Sequence, residues 1–446
     1  MSIQQREVTV EAAVFPVFGE YDVVVCGGGP AGIGAAITAA QNGCKTLLIE
    51  ATACLGGLIG NGFLRGFCDS PGGPVFDDLA ERLLDLGEAR WGKNPQRYRE
   101  PGRLGYHPEM ARAVVMEMVH EAGAEVLLNT FVEGPFMSGE TVEGVFIATK
   151  QGRQLVKAQT VIDCTADADI AAGAGAPFHY GDPEDGHIQL CSFRCEVGGI
   201  DHERFERDRP GDEELEALFA DAVSRGEIMV LDGLAEHPPK SFPFDPESGL
   251  YIGRWDFKEV DATDPAQVSR ALEQSQRAML QIVRFCRKNL PGYEDMRIER
   301  FPDALGIRES RRIVGRYTLT KDDVLAGRKF DDGLVPAWFW CDLHEPQPHY
   351  FPFTTEYVHS NQPPPGDWYE IPYRSLLPQD VRGLLVAGRS ISADRPAHGS
   401  LRIMPTCMFL GTAAARAATR ATEEHTDVTA LDGAALKAIM SEHFPE

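Results

Sequence analysis

Residues 21–50 read YDVVVCGGGPAGIGAAITAAQNGCKTLLIE, and this stretch decides the fold. YDVVVC at 21–26 is a continuous apolar, β-branched run, the pattern of a strand buried on both faces. GGGPAG follows at once, residues 32–42 read as a helix of small side chains, and CKTLLIE at 44–50 reads as a second buried strand. Together they make a βαβ unit of about 30 residues. Gly27, Gly29 and Gly32 give G-x-G-x-x-G between strand and helix. The first glycine permits the turn, the second lets backbone N–H groups approach a pyrophosphate, and the third lets the helix pack closely. The helix N-terminus, which includes Pro30 and Ala31, supplies partial positive charge without a lysine. Glu50 stands 18 residues past Gly32, where a carboxylate accepts hydrogen bonds from a ribose 2′-OH. The plainer reading is a glycine-rich turn beside an unrelated glutamate; strand, helix and acid in register favour dinucleotide binding.

Outward from this unit, 76–90 and 108–123 read as amphipathic helices, and three segments across 125–164 read as a βββ meander. The middle of the chain, 178–375, changes character. It carries acidic helical stretches at 203–226 and 263–289 and aromatic, Pro-rich connections such as AWFWCDLHEPQPHYFPF. GLLVAG at 383–388 returns to the buried-strand pattern, and 405–421 reads as an Ala-rich helix. The expected architecture is α/β: a Rossmann-type nucleotide domain from 1–177 and 376–425, an inserted α+β substrate or cap domain at 178–375, and a solvated tail at 426–446.

Composition is ordinary for a globular chain of 446 residues, with 43% hydrophobic and 25% charged residues. The formal net charge is −24, which repels phosphate backbones and anionic lipid, so nucleic acid and membrane are not expected partners. No apolar run reaches spanning length, and the N-terminal stretch lacks a leader pattern, so a cytoplasmic location is expected. Ten scattered cysteines suit reduced thiols, and no spacing offers a metal site. The 45 glycines, about a tenth of the chain, exceed the usual share.

Beyond Glu50 the sequence resembles the FAD-dependent oxidoreductases of the glutathione-reductase-like superfamily. Gly56 and Gly57 match the double glycine after their ribose-binding acid, and IDCTADAD at 162–169 resembles their second nucleotide-contact motif, with Ala166 and Ala168 standing where that motif has glycine. GIRESRRIVG at 306–315, YEIPYRSLLP at 369–378, GLLVAGRSIS at 383–392 and AHGSLRIMPTCMFLGTAAA at 397–415 resemble a branch with a fumarate-reductase-like layout. The resemblance spans nearly the whole chain and implies FAD as cofactor. It implies FAD contacts at Gly27, Gly29, Pro30, Ala31, Gly32, Glu50, Gly56 and Gly57, with the backbone of Val132 at the adenine. Thr165, Ala166, Gly388, Arg389, Met404 and Cys407 complete the set, although relatives often carry an acid where this chain has Arg389. Pro405 suits the first turn of the Ala-rich helix, whose N–H groups the resemblance directs at flavin N1 and the C2 oxygen.

No second G-x-G-x-x-G follows a strand, so no built-in NAD(P)H domain is expected, and electrons would pass through substrate, O2, a partner or a transient nicotinamide. The implied activity is dehydrogenase or oxidase chemistry on a small organic substrate, with hydride moving to or from flavin N5. A flavin monooxygenase, an ene-reductase and a non-catalytic FAD-binding protein are the alternatives, and a homo-oligomer is left open. His398 is a candidate to take a proton as hydride moves, or else a loop-bonding histidine. His344 lies in an aromatic stretch that reads as a roof or as core. Arg308 and Arg402 suit a carboxylate clamp or ion pairs with acids such as Glu309. Cys407 reads either as a thiolate activated by a helix N-terminus or as a buried small side chain.

Overall fold

The computed structural model describes residues 14–92, 103–231, 244–245, 250–346 and 354–445. Val17–Cys26 lies inside a seven-stranded sheet, parallel to Thr46–Ile49 on one side and to Gly152–Asp163 on the other. Val23, Val24 and Val25 are fully buried, as a strand covered on both faces requires. Glu125–Leu127 adds a parallel edge beyond Thr46–Ile49. Beside Val17–Cys26, Gly152–Asp163 has two further neighbours: its first half pairs antiparallel with Thr141–Thr149, and its second half pairs parallel with Leu384–Val386. Phe131–Ser138 completes the meander.

The first of the three predicted meander segments is in fact two strands. Glu125–Leu127 belongs to the parallel layer, and Asn129, at a φ of 50°, turns the chain into Phe131–Ser138. Apolar patterning alone does not register such a break, because both pieces carry similar side chains.

The helix Pro30–Gln41 follows the glycine turn and packs against Met404–Glu424. Small residues make this approach possible. An added Cβ at Gly34 would lie 2.0 Å from Met408 O, and one at Gly411 would lie 1.8 Å from Ala31 O. Met404–Glu424 is thereby locked against the helix that follows the glycine turn.

A second core forms around Cys191–Gly198, which pairs antiparallel with Leu250–Phe257 and Arg297–Arg300, and is backed by the long helix Pro265–Asn289. Its buried members run from Cys191 to Leu305. Residues from Ile313 to Leu377 pack instead in the first core, so the separately packed unit is narrower than the 178–375 stretch. The region after 425 also differs from the expected solvated tail. Val428, Leu436 and Met440 are buried, and Gly433–Met440 packs against Gly333–Ala337.

Candidate functional site

Glycines of the first turn are held for two different reasons. Gly27 has a φ of 99°, and a Cβ there would lie 2.5 Å from Cys164 O; a Cβ on Gly32 would lie 1.8 Å from Gly27 O. Those two are fixed by internal packing. Gly29 instead caps its helix with no side-chain bond, and a Cβ added to it would meet nothing within 4 Å. Open space in front of uncapped helix N–H groups is an anion cradle. Gly57 walls the other side, since its added Cβ would lie 2.9 Å from Gly29 Cα, and Gly56 donates to Gly28 O at 2.8 Å. Glu50 is buried, accepting from Gly28 N at 2.7 Å and Thr52 N at 2.8 Å, with lone pairs remaining for a ribose. Thr130 N donates to Glu50 O at 3.1 Å, which fixes the entry to Phe131–Ser138, the strand that carries Val132, beside Glu50. These residues fit a dinucleotide.

The second motif is organised by a residue absent from the expected contact set. Asp163 is fully buried: one oxygen accepts from Thr165 N and Oγ1, the other from Ile170 N and Ala171 N at 2.9 and 3.0 Å. Burial raises its carboxyl above the usual range, and those hydrogen bonds oppose the rise. Ala166 and Ala168 hold φ of 72° and 54°, the left-handed region that favours glycine. Ser310 and Arg311 of the 306–315 segment bond back to this loop, at Asp167 and Asp169. Gly388 follows Leu384–Val386 at a φ of 98°, its added Cβ 3.2 Å from Ala31 Cβ. Arg389 turns one guanidinium nitrogen to Asp167 at 2.7 Å, and its Nε is buried without a hydrogen-bond partner.

Arg395–Leu401 starts at Asp394, whose carboxylate accepts from Ala397 N, and it carries His398. Met404–Glu424 begins directly after, with no side-chain cap at Ile403 and with Met404 and Cys407 buried in its first turns. Burial pushes the Cys407 thiol up to about 12, which outweighs any helix-end activation and makes the structural reading of this cysteine the one the geometry favours. All ten cysteines are free thiols.

His398 is fully buried, and its Nε2 has no hydrogen-bond partner. Burial and the surrounding Arg312, Arg402, Arg389 and Arg395 hold the imidazole neutral, far below its usual range. Its Nδ1 lies 3.5 Å from Gln189 Nε2. Gln189 Oε1 accepts from His344 N at 3.2 Å, so the amide presents its N–H groups to His398. Nδ1 is then the acceptor, and the proton of neutral His398 sits on Nε2. His344 places Nε2 3.3 Å from Asp342 Oδ2, and Arg402 approaches the same oxygen at 3.1 Å. Burial works against the Asp342 charge, yet His344, Arg402 and Arg308 together hold its carboxyl below the usual range. For His344 burial and Arg308 lower the pKa against the pull of Asp342.

Arg308 and Arg402 are both engaged. Arg308 donates to Leu190 O and lies 3.4 Å from Asp256, while Arg402 donates to Asp342 O at 2.8 Å. Neither pairs with Glu309. That carboxylate is buried among Arg312, Arg395 and Gln189 N, in a network that Arg395 extends to Glu345 at 2.7 and 2.8 Å. Beside it Asp182, Asp185 and His187 gather ligand atoms within 4.8 Å, and Arg395 stands 3.0 Å from His187 Nε2, supplying positive charge there itself. Of the aromatic roof, Trp338, Phe339 and Trp340 are half-buried, and Tyr350 and Phe351 lie outside the described residues.

Gln189, Asp342 and Arg194 join the site without having been singled out in the sequence. Arg194 had a readable signal. In CSFRCEV, Cys191, Phe193, Cys195 and Val197 face the second core, which leaves Ser192, Arg194 and Glu196 on the face toward the nucleotide domain, where Glu196 meets Arg65 at 3.0 Å. Gln189 had none, because its role depends on contacts more than 150 residues away.

The chain is 33% identical to a thiamine thiazole synthase of Aeropyrum pernix over 143 residues, covering 32% of this chain and 49% of that protein. It is 60% identical to a dihydrolipoyl dehydrogenase of Trypanosoma brucei brucei over 43 residues, 10% of this chain and 9% of the relative. The chain thus spans half or less of the length of these relatives. Among solved structures, a geranylgeranyl bacteriochlorophyll reductase-like protein from Thermoplasma acidophilum aligns with 13% identity and a TM-score of 0.46, over 96% of this chain and 84% of that one. No helix among the described residues is long and apolar enough to cross a membrane. The sequence profile described as FAD dependent oxidoreductase matches residues 22–440, and with the cradle built by Gly29, Gly57 and Glu50 it establishes that this chain belongs to the FAD-dependent oxidoreductase family.

Proposed function

We infer that the chain moves a hydride between a small organic substrate and its flavin, with the substrate held between the nucleotide domain and the second core. The observation that carries this reading is His398: a fully buried, neutral imidazole with an unpartnered Nε2, just before the helix that starts at Met404. Bound FAD supplies a two-electron centre that accepts or returns a hydride at N5. His398, protonated at Nε2, acts as a hydrogen-bond donor to a substrate oxygen, in place of the proton acceptor expected from sequence. As hydride reaches a carbon conjugated to a carbonyl, charge grows on that oxygen, and an N–H fixed in a dry site stabilises it. In the opposite direction the same contact holds the carbonyl product. Gln189 keeps the tautomer, and the arginines around His398 keep the ring from binding a second proton.

Anaerobic mixing of the FAD-loaded protein with hydroxy acids, amines and unsaturated acids tests this, following the visible flavin band. One substrate class should change the flavin redox state without O2 or nicotinamide. His398→Gln should slow that step by about 10²-fold or more while FAD stays bound. Normal turnover by His398→Gln removes the assigned role. Substrate-dependent NAD(P)H oxidation seen only in air would replace hydride exchange by monooxygenation.

A further inference from the structure

A recess of about 100 Å³ opens where four elements meet: the end of Pro30–Gln41, the start of the helix Pro74–Asp85, the middle of Met404–Glu424 and the C-terminal turn Ser441–His443. None of its lining residues belongs to the expected FAD contact set. One water needs about 10–15 Å³ of such space, so the recess has room for several waters or one small polyatomic ion. Its polar groups are donors short of acceptors. Arg416 gives Nη1 to Asn42 Oδ1 at 2.6 Å, but its Nε is buried without a hydrogen-bond partner, and no carboxylate lies within ion-pair distance of it among the described residues. In a chain with 67 acidic and 43 basic residues, that is not for want of acids. His443 Nε2 is likewise buried and unpartnered; Glu442 Oε1 passes 3.2 Å from it, off the hydrogen-bonding direction. Thr412 Oγ1 accepts from Thr38 Oγ1 at 3.3 Å, which leaves the Thr412 hydroxyl proton without an acceptor among the described residues. Pro74–Asp85 starts beside them with no side-chain cap at Gly73, so the positive end of its dipole adds to the excess. The end of Pro30–Gln41 carries the opposite dipole, and Asn42 covers it by donating Nδ2 to Thr38 O at 2.7 Å. The one acid on the wall, Asp78, is turned to Arg82 at 2.8 Å.

Buried donors left without acceptors cost free energy, and a guanidinium among them costs more than a neutral group. We propose that this recess binds a small oxyanion, phosphate or a short carboxylate, held by Arg416 Nε, the Thr412 hydroxyl and His443 with its proton on Nε2. All three groups donate, and hydrogen bonds that join a charged donor to an oxyanion are the strong ones. The His443 ring is held edge-on to Phe409, so its nitrogen is placed before the ion arrives. A bound ion ties together the four elements that meet at the recess, and it stabilises the folded chain by mass action without touching the flavin.

The test is titration of the FAD-loaded protein with inorganic phosphate and, separately, with acetate at constant ionic strength, read by calorimetry and melting temperature with the flavin spectrum recorded alongside. FAD loading keeps the pyrophosphate cradle filled, and fixed ionic strength separates site binding from screening of the −24 surface. Expected are saturable uptake of at least one anion with half-saturation near 1 mM or below, an unchanged flavin spectrum, and uptake weaker by about 10-fold or more in Arg416→Gln. The anion that saturates at the lower concentration identifies the source. His443→Phe keeps the ring against Phe409 and loses Nε2; it should weaken uptake by about 3-fold or more, and it carries the test should Arg416→Gln fail to fold. Arg420→Gln, an exposed arginine four residues further along the same helix, should leave uptake unchanged. No saturable uptake, or parental uptake in Arg416→Gln and His443→Phe, overturns the proposal. So does an anion that alters the flavin spectrum and binds both variants as well as the parent, because it then sits at the flavin. A melting temperature that Arg416→Gln lowers equally with and without anion gives the arginine to the end of Pro30–Gln41 through Asn42, and overturns the site as well.

Discussion

Ala166 and Ala168 show a cofactor motif kept at a conformational cost. A left-handed backbone costs an ordinary L-residue roughly 1–2 kcal/mol, whereas glycine adopts it freely but gives up about 0.4–1 kcal/mol through its more flexible unfolded chain. The first effect is larger, so Ala166→Gly should stabilise the protein by up to about 1 kcal/mol in denaturant titrations; an unchanged or lower midpoint would contradict the strain argument. His398 gives a pH dependence with a definite sign. Its folded pKa is depressed by burial first and by Arg312, Arg402, Arg389 and Arg395 next, so below about pH 6.5 the unfolded chain binds a proton that the folded chain refuses. Stability should fall as pH drops below that point, by up to about 1.4 kcal/mol per pH unit from this one group, and His398→Gln should flatten the slope. A melting profile of His398→Gln that tracks the parent from pH 7 to about 5 would sink it. At this scale the sequence is legible where a residue's task is local. Gly27, Gly32 and Glu50 follow from one turn and one strand end. Gln189 acquires its task from contacts more than 150 residues away, which no spacing encodes.

Two elements position everything else, and each is pinned by a contact that a single substitution breaks. Met404–Glu424 is held against the glycine-turn helix by Gly34 and Gly411. In an isolated helix Gly411→Ala gains about 1 kcal/mol of propensity. Here its Cβ would lie 1.8 Å from Ala31 O, a backbone atom that cannot swing aside, and overpacking typically costs 1–3 kcal/mol or more. The clash should win. Gly411→Ala is expected to lower the melting temperature and to weaken FAD retention, because Ala31 lies in the first turn of the helix that Gly29 opens, and a variant that retains FAD at parental stability would refute the lock. Arg395–Leu401 is held by the buried Glu309, Arg312, Arg395 and Glu345 network. Glu309→Gln leaves Arg312 and Arg395 short of a charge in a dry site, for which about 3–5 kcal/mol is the usual loss. Loss of less than about 1 kcal/mol in a denaturant titration would show that Glu345 and Asp182 suffice. The small residues of the long helix were visible in the sequence. The ion network was not, since Glu309 lies beside Arg308 in the chain but turns to Arg312 and Arg395 in space.

Charge separates the outer surface from the buried ion network, and the two should respond to salt differently. With 67 acidic and 43 basic residues, the outer surface repels itself, and added salt screens that repulsion over a Debye length of about 10 Å at 0.1 M. Glu309, Arg312, Arg395 and Glu345 are buried, so mobile ions reach their pairing far less. Raising sodium chloride from about 0.05 to 0.5 M should raise the melting temperature of the FAD-loaded protein and leave the stability lost in Glu309→Gln nearly unchanged. Surface repulsion governs the first observation and buried pairing the second, so only the first should carry a salt slope. If the melting temperature falls instead, surface ion pairs such as Arg82 with Asp78 and Glu121 outweigh the net repulsion; if the Glu309→Gln loss shrinks with salt, the network is open to solvent ions.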